Sequence, residues 1–172
     1  KIERKKDVRY SQEGLLGMVL NPKTGHKKLL DCPIYHVSQD GKMSVSPQLS
    51  KIRYTQMGYG ADYLLHGKVA TIEDVEQELR RGYGPHTGAP TDDGVYVGNI
   101  ETGKCNLVAN SRDLAVLAGI NPDMTPVYGF HTKFSSDGEL ILFVLRSLEL
   151  QSGFAGALST SGLQSAFSIP RV

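Results

Sequence analysis

Apolar positions along this chain fall in short runs, and most of these runs end at a turn signal instead of continuing as a helical stripe. Leu15–Leu20 and Lys27–Leu30 flank Asn21-Pro22-Lys23-Thr24-Gly25, and Val95–Ile100 and Lys104–Val108 flank Glu101-Thr102-Gly103. A second turn repeats as well: Val37-Ser38-Gln39-Asp40-Gly41-Lys42 is echoed by Phe134-Ser135-Ser136-Asp137-Gly138-Glu139. Thr-Gly and Asp-Gly between apolar runs are hairpin signals, because glycine supplies the positive φ of a tight turn. The pattern predicts strands over 15–20, 27–30, 34–37, 43–45, 95–100, 104–108 and 140–145. Leu140–Leu145 is apolar at every position, which predicts a strand buried on both faces.

Each copy reads strand, Thr-Gly turn, strand, Asp-Gly turn, strand. Self-similar units of a few antiparallel strands mark a β-propeller, whose blades take ~40–50 residues. The expected fold is therefore all-β: about two propeller blades, with short inserted helices, belonging to a larger propeller with further blades. A self-contained small β-rich domain is the alternative. Residues 14–45 would supply the strands of the first blade, 46–93 an inserted loop and helix, 94–146 the second blade, and 147–172 a mobile loop. The Thr24–Thr102 spacing is shorter than the Asp40–Asp137 spacing, so the units carry insertions of unequal length.

Two helices interrupt the strands. Thr71 to Arg81 has a capping-box spacing in its looser form (Thr71, Asp74), an Ile72/Val75/Leu79 stripe and Gly82 as its stop. Ser111 caps a shorter helix over 112–118, which Gly119 ends. The segment 82–93 is too rich in Gly and Pro for regular structure.

Composition narrows the function without naming it. With 40% hydrophobic and 22% charged residues and a net charge of +1, there is no basic surplus of the kind nucleic-acid binding uses. No run reaches the ~18 apolar residues of a membrane span. Cys32 and Cys105 are too few for a disulfide framework and too isolated for a zinc site. No metal motif, nucleotide loop or nucleophile elbow is present, and no motif assigns a cofactor.

What remains is a set of Tyr, His and Arg residues in the segments between the predicted strands. Arg53, Tyr59, Tyr83 and His86 lie in the long insertion; Tyr128, Phe130 and His131 lead into the last strong strand, and Arg146 ends it. Flat aromatic faces stack on sugar rings, and Arg pairs bidentately with a carboxylate. Aromatics between strands also pack blades together, so only convergence on one face would mark a site.

Three segments resemble a known family. Asp92-Asp93-Gly94-Val95-Tyr96-Val97-Gly98-Asn99-Ile100-Glu101-Thr102-Gly103, the blade His131-Thr132-Lys133-Phe134-Ser135-Ser136-Asp137-Gly138 with Arg146 at its end, and Gly58-Tyr59-Gly60 are similar to elements of bacterial β-propeller polysaccharide lyases. These are the oligogalacturonate-lyase-like and ulvan-lyase-like proteins; the Ser-x-Asp-Gly turn also resembles TolB-like propellers. Ser136 and Leu145 depart from the pattern, which prefers Pro and often His there. The resemblance implies β-elimination on an acidic, uronate-containing glycan and a periplasmic or secreted location. It implies His131 as base or carboxylate neutraliser, Arg146 as carboxylate binder and Tyr59 as acid or base, with Arg53, Tyr83 and His86 in substrate binding. A non-catalytic TolB-like propeller that binds a protein or glycan is the competing reading.

Overall fold

In a computed structural model, the described residues are 16–49, 52, 64–65, 68–69, 88–125, 127–147 and 164–170. They are mostly β, in antiparallel sheets. In chain order the strands are β1 (Met18–Leu20), β2 (Lys27–Leu29), β3 (His36–Val37), β4 (Met43–Ser46), β5 (Leu64–Leu65), β6 (Lys68–Val69), β7 (Gly94–Asn99) and β8 (Cys105–Asn110). Helix α1 (Ser111–Leu117) follows, then β9 (Val127–Phe134), β10 (Leu140–Ser147) and β11 (Gln164–Pro170).

The repeated turns fold alike because the same atoms close them. Ser38 Oγ donates to Asp40 Oδ1 at 2.6 Å and accepts from the Met43 amide at 3.0 Å, while the Lys42 amide bonds Asp40 Oδ1 at 3.1 Å. In the second copy Ser135 Oγ donates to Asp137 Oδ1 at 2.5 Å and accepts from the Leu140 amide at 2.9 Å, and the Glu139 amide bonds Asp137 Oδ1 at 3.0 Å. Gly41 and Gly138 complete these turns at φ +71° and +76°, in the left-handed region that only glycine enters cheaply. The Thr-Gly turns match too: Asn21 and Asn99 each accept from the threonine amide, at 3.2 and 2.8 Å. These Asx-type bonds are local, so the turns form wherever the sequence recurs.

The strands group differently from the copies. β4 pairs with β7, Val45 opposite Val97 and Ser44 opposite Gly98, so one four-stranded sheet, β3-β4-β7-β8, draws on both copies. β1 pairs with β2, and β10 lies between β9 and β11. The core fills the space between the four-stranded and three-stranded sheets. Val45, Val95 and Val97 meet Val127, Phe134, Ile141, Phe143 and Leu145 there, with Leu114 and Ala115 of α1 joining them. Gly129 on β9 leaves room for two neighbours: a Cβ there would stand 2.5 Å from the Phe143 ring on the adjacent strand and 3.0 Å from Pro47, which follows β4 of the other sheet.

The other face of the four-stranded sheet is held differently. Cys32 and Cys105 form a disulfide with Cα atoms 6.0 Å apart. It lies over Gly98, where a Cβ would stand 2.9 Å from Cys105 Sγ and 2.5 Å from Ser44 Oγ. The same seam carries an Asp31 N–H bond to the Gly103 carbonyl at 2.9 Å and bonds from Lys28 Nζ to the Ile100 and Glu101 carbonyls. The chain after β2 is thus stapled to the turn between β7 and β8.

Several expectations are corrected. The cysteines, read as too few for a disulfide framework and too isolated for a zinc site, form a single cross-link. Val127–Phe134, read as a lead-in, is an eight-residue strand. Gln164–Pro170, placed in a mobile loop, is a strand paired along β10, and the insertion 46–93, read as loop and helix, contains the short pair β5–β6. Leu140–Leu145 is buried on both faces only in its second half: Ile141, Phe143 and Leu145 face the core and Val144 is buried on the other side, while Leu140 and Leu142 are 42% and 47% exposed. The cap of α1 is Asn110 and not Ser111. Asn110 is extended (φ −90°, ψ 155°) and its Oδ1 accepts from the Asp113 amide at 2.8 Å, whereas Ser111 is already helical and buried. The helix expected over 71–81 lies outside the described residues. Among the described residues no helix is long and apolar enough to cross a membrane.

Candidate functional site

The site is built by an irregularity in one strand. Along β9 and β10, Thr132 faces Phe143 and Gly129 faces Leu145, so two residues of β9, Phe130 and His131, stand opposite the single Val144. A bulge of this kind breaks the alternation and re-aims a side chain. Val127, Gly129, Thr132 and Phe134 keep to the core side. Tyr128 and Phe130 belong to a separate cluster with Ile52 and Leu49.

On that second side His131 and Arg146 come close through Phe130. The Phe130 and His131 rings are tilted at 4.0 Å between centroids, and the Arg146 guanidinium carbon lies 4.3 Å over the Phe130 ring. A guanidinium over an aromatic face gains cation–π attraction, and the stacking fixes its plane. Arg146 Nε is buried and has no hydrogen-bond partner, and among the described residues no carboxylate pairs with this side chain. A buried donor without a partner costs free energy.

His131 is half-buried and its Nδ1 lies 2.6 Å from the Tyr35 hydroxyl. Desolvation, then the charges of Arg146 and Lys133, lower its pKa from the usual 6.5. Each cause disfavours the imidazolium, so the ring is neutral at neutral pH and holds a lone pair. The same shift makes His131 stabilise the fold above pH 6.5, a contribution lost as pH falls through the lowered value.

Of the residues singled out in the sequence, the structure brings together His131 and Arg146. Tyr59, Arg53, Tyr83 and His86 lie outside the described residues. Tyr35 was missed because it sits in a predicted strand. Its one signal was position: it stands just upstream of the first Asp-Gly turn, as His131 stands upstream of the second. An apolar groove also runs beside β1, lined by Met18, Leu20, Ile34, Val37 and Leu49 among others. No charged side chain lines it, so it offers an acidic sugar nothing. Among the described residues no three His, Cys, Asp or Glu side chains gather as a metal ion would need. Compared with known proteins, the chain matches no family model, no curated protein and no solved structure.

Proposed function

We propose that this chain contributes blades to a β-propeller that acts on acidic, uronate-containing poly- or oligosaccharides by β-elimination. The strand order supports the propeller. β3-β4-β7-β8 is a four-stranded meander; β1 and β2 are joined by the same type of Thr-Gly turn as β7 and β8, and β9 and β10 by the same type of Asp-Gly turn as β3 and β4. On this reading β3-β4-β7-β8 is one blade, with the insertion 47–93 inside it. The exposed row Leu140 and Leu142 is the face a following unit would cover.

The observation that carries the activity is the meeting of the His131 imidazole and the Arg146 guanidinium at the Phe130 ring, on one side of β9–β10, with no carboxylate paired to Arg146 among the described residues. β-Elimination removes a proton α to a carboxylate, so it needs a base and a cation that neutralises that carboxylate as the enolate develops. His131 supplies the proton-accepting group. Arg146 supplies the charge, and its fork matches a carboxylate bidentately.

The test is to incubate the protein with polygalacturonate, alginate and ulvan while following the absorbance of unsaturated uronate. Activity should appear with at least one, fall by roughly 10²–10⁴-fold in His131→Ala, and weaken in binding in Arg146→Lys, because an ammonium cannot reproduce the fork. Binding without turnover would leave a glycan-binding propeller of the TolB-like kind. Neither binding nor turnover would end the reading.

A further inference from the structure

The four-stranded sheet is covered on both faces, whereas the elements on either side of it each leave one apolar face open. Val45 and Tyr96 lie on opposite faces of that sheet and are 0% and 1% exposed. The repeated turns identify their counterparts. Leu142 follows Asp137 at the spacing at which Val45 follows Asp40, and Met18 precedes Thr24 at the spacing at which Tyr96 precedes Thr102. Those counterparts are 47% and 51% exposed, with Leu140 and Leu20 beside them nearly as open. The same places in the repeat are thus sealed in the middle of the stack and bare at its two ends.

We propose that copies of this chain assemble head to tail, the Met18/Leu20 face of one packing over the Leu140/Leu142 face of the next until a ring closes. The inference rests on the propeller part of the reading above, is independent of its chemistry, and names the neighbour: a second copy of this chain. Three observations carry it. The two open faces are of opposite kind. Leu142 stands where Val45 meets the sheet that follows, and Met18 where Tyr96 and Gly98 lie on the side of the Cys32 seam that precedes. One chain leaves a face of each kind open, so one contact, repeated between copies, covers both. The contact also continues an interface the chain already contains, where Val45 and Val97 of one sheet meet Ile141 and Phe143 of the next. Finally, both faces are apolar: Leu16–Leu20 carries no charge, and β1, β2, β9, β10 and β11 hold no carboxylate. Grouped apolar side chains left in water mark interaction surfaces.

A head-to-tail contact is heterologous, so every added copy carries a fresh face of each kind, and growth stops only when the last copy meets the first. Propeller sheets circle a central axis, and a rotation between copies like the one between neighbouring sheets of one chain brings the series back on itself. Lys27 lies opposite Leu20 and Lys133 opposite Leu142, so a lysine borders each face. Its stem can lie along apolar surface while the ammonium stays in water. Binding of folded copies depends on concentration, so the dilute chain is a monomer with both faces exposed.

The experiment is the mass of the 172-residue chain against concentration, by analytical ultracentrifugation and native mass spectrometry. It compares wild type, Met18→Lys, Leu142→Lys and a mixture of the two variants with one isotopically labelled. Wild type should reach one discrete mass above the monomer and stop there. Each variant alone should stay monomeric, its dissociation constant raised by at least roughly a hundredfold, because a lysine set into either face is desolvated with no carboxylate to meet it. The mixture should form a pair holding one copy of each, since the intact Leu142 face of one variant still fits the intact Met18 face of the other. Both side chains are exposed, so the dilute variants should melt with wild type; should either melt lower, Met18→Gln and Leu142→Gln take their place. Wild type monomeric at every concentration overturns the second copy as neighbour and leaves the propeller reading standing. Assembly that survives in either variant, or a mixture that forms no pair, overturns the head-to-tail contact. A mass that rises without limit overturns the closed ring, and with it the propeller part of the reading.

Discussion

β4 and β10 both follow a Ser-x-Asp-Gly turn, and their sequences invert their fates. β4 reads Met-Ser-Val-Ser, yet Ser44, Val45 and Ser46 are all fully buried. β10 opens Leu-Ile-Leu-Phe, yet Leu140 and Leu142 are nearly half exposed. The cause is position in the stack. β4 lies in the four-stranded sheet, with the apolar core on one side and the disulfide seam on the other. There the second face needs small groups, Ser44 and Gly98, so that Cys32 and Cys105 can meet above them. β10 is in the three-stranded sheet and gives one face to that core. Burial is decided by what lies on each side of a strand, and apolarity alone does not reveal it.

The comparison breaks most visibly where the two sheets meet. Phe143 is wholly buried in the core between them, its ring over Gly129 of the adjacent strand. Phe143→Ala should cost about 3–5 kcal/mol, the usual range for a buried Phe→Ala change, read as a lower urea midpoint. A loss under about 1 kcal/mol, the scale of an ordinary point mutation, would mean that this interface is not packed as described.

The second face should yield to chemistry instead of volume. Cys32 and Cys105 close a loop with a sequence separation of 73, for which chain entropy suggests about 4 kcal/mol. Reduction, or Cys32→Ser with Cys105→Ser, should lower the melting temperature strongly, while Phe143→Ala in the reduced protein should cost as much as in the oxidised one. Distant independent sites add in this way. Marked non-additivity would show that the two faces form one cooperative layer. The bond also requires an oxidising environment to persist, and thiol titration of the native protein without reductant should find no free cysteine at 32 or 105.

Gly98→Ala probes the same face from beneath. The added methyl would stand 2.5 Å from Ser44 Oγ and 2.9 Å from Cys105 Sγ, so serine or disulfide must shift. Overpacking of this kind typically costs about 1–3 kcal/mol. The double variant Gly98→Ala with Ser44→Gly should recover part of the loss, and no recovery would place the clash elsewhere.

The contrast between β4 and β10 also explains which features the sequence disclosed. Turn chemistry was legible because Ser38-x-Asp40-Gly41 and Ser135-x-Asp137-Gly138 satisfy their own hydrogen bonds within six residues. The strands beside those turns were legible for the same reason, to within a residue or two. β9 was not, because its bulge at Phe130-His131 destroys the period of two that identifies a strand. β11 was missed because Gln164–Pro170 is short of the β-branched and aromatic residues that announce one. The disulfide had no local signal: two cysteines so far apart pair only because β2 and β8 are brought together. His131 and Arg146 could be named from their motif, whereas Tyr35 had only its place before the first Asp-Gly turn and is singled out by its contact with His131.

The smallest effect tests the outer sheet. Leu142 lies opposite Lys133 of β9 and Ser168 of β11, with its side chain 47% exposed. An exposed apolar residue contributes little, so Leu142→Gln in the 172-residue chain should change stability by no more than about 0.5 kcal/mol, against several for its neighbour Phe143. Val45→Gln, at the equivalent place after the first Asp-Gly turn, should cost far more, because an amide set among Val95, Val97 and Phe143 would lack a partner. The pair of substitutions turns the inversion between the two strands into a measured difference. In an assembly where a further unit covers this side of β10, Leu142→Gln should become costly while Val45→Gln stays as it was. A Leu142→Gln cost equal to that of Val45→Gln in the chain alone would show that both strands are already covered on both faces, and the contrast between an inner and an outer sheet would fall.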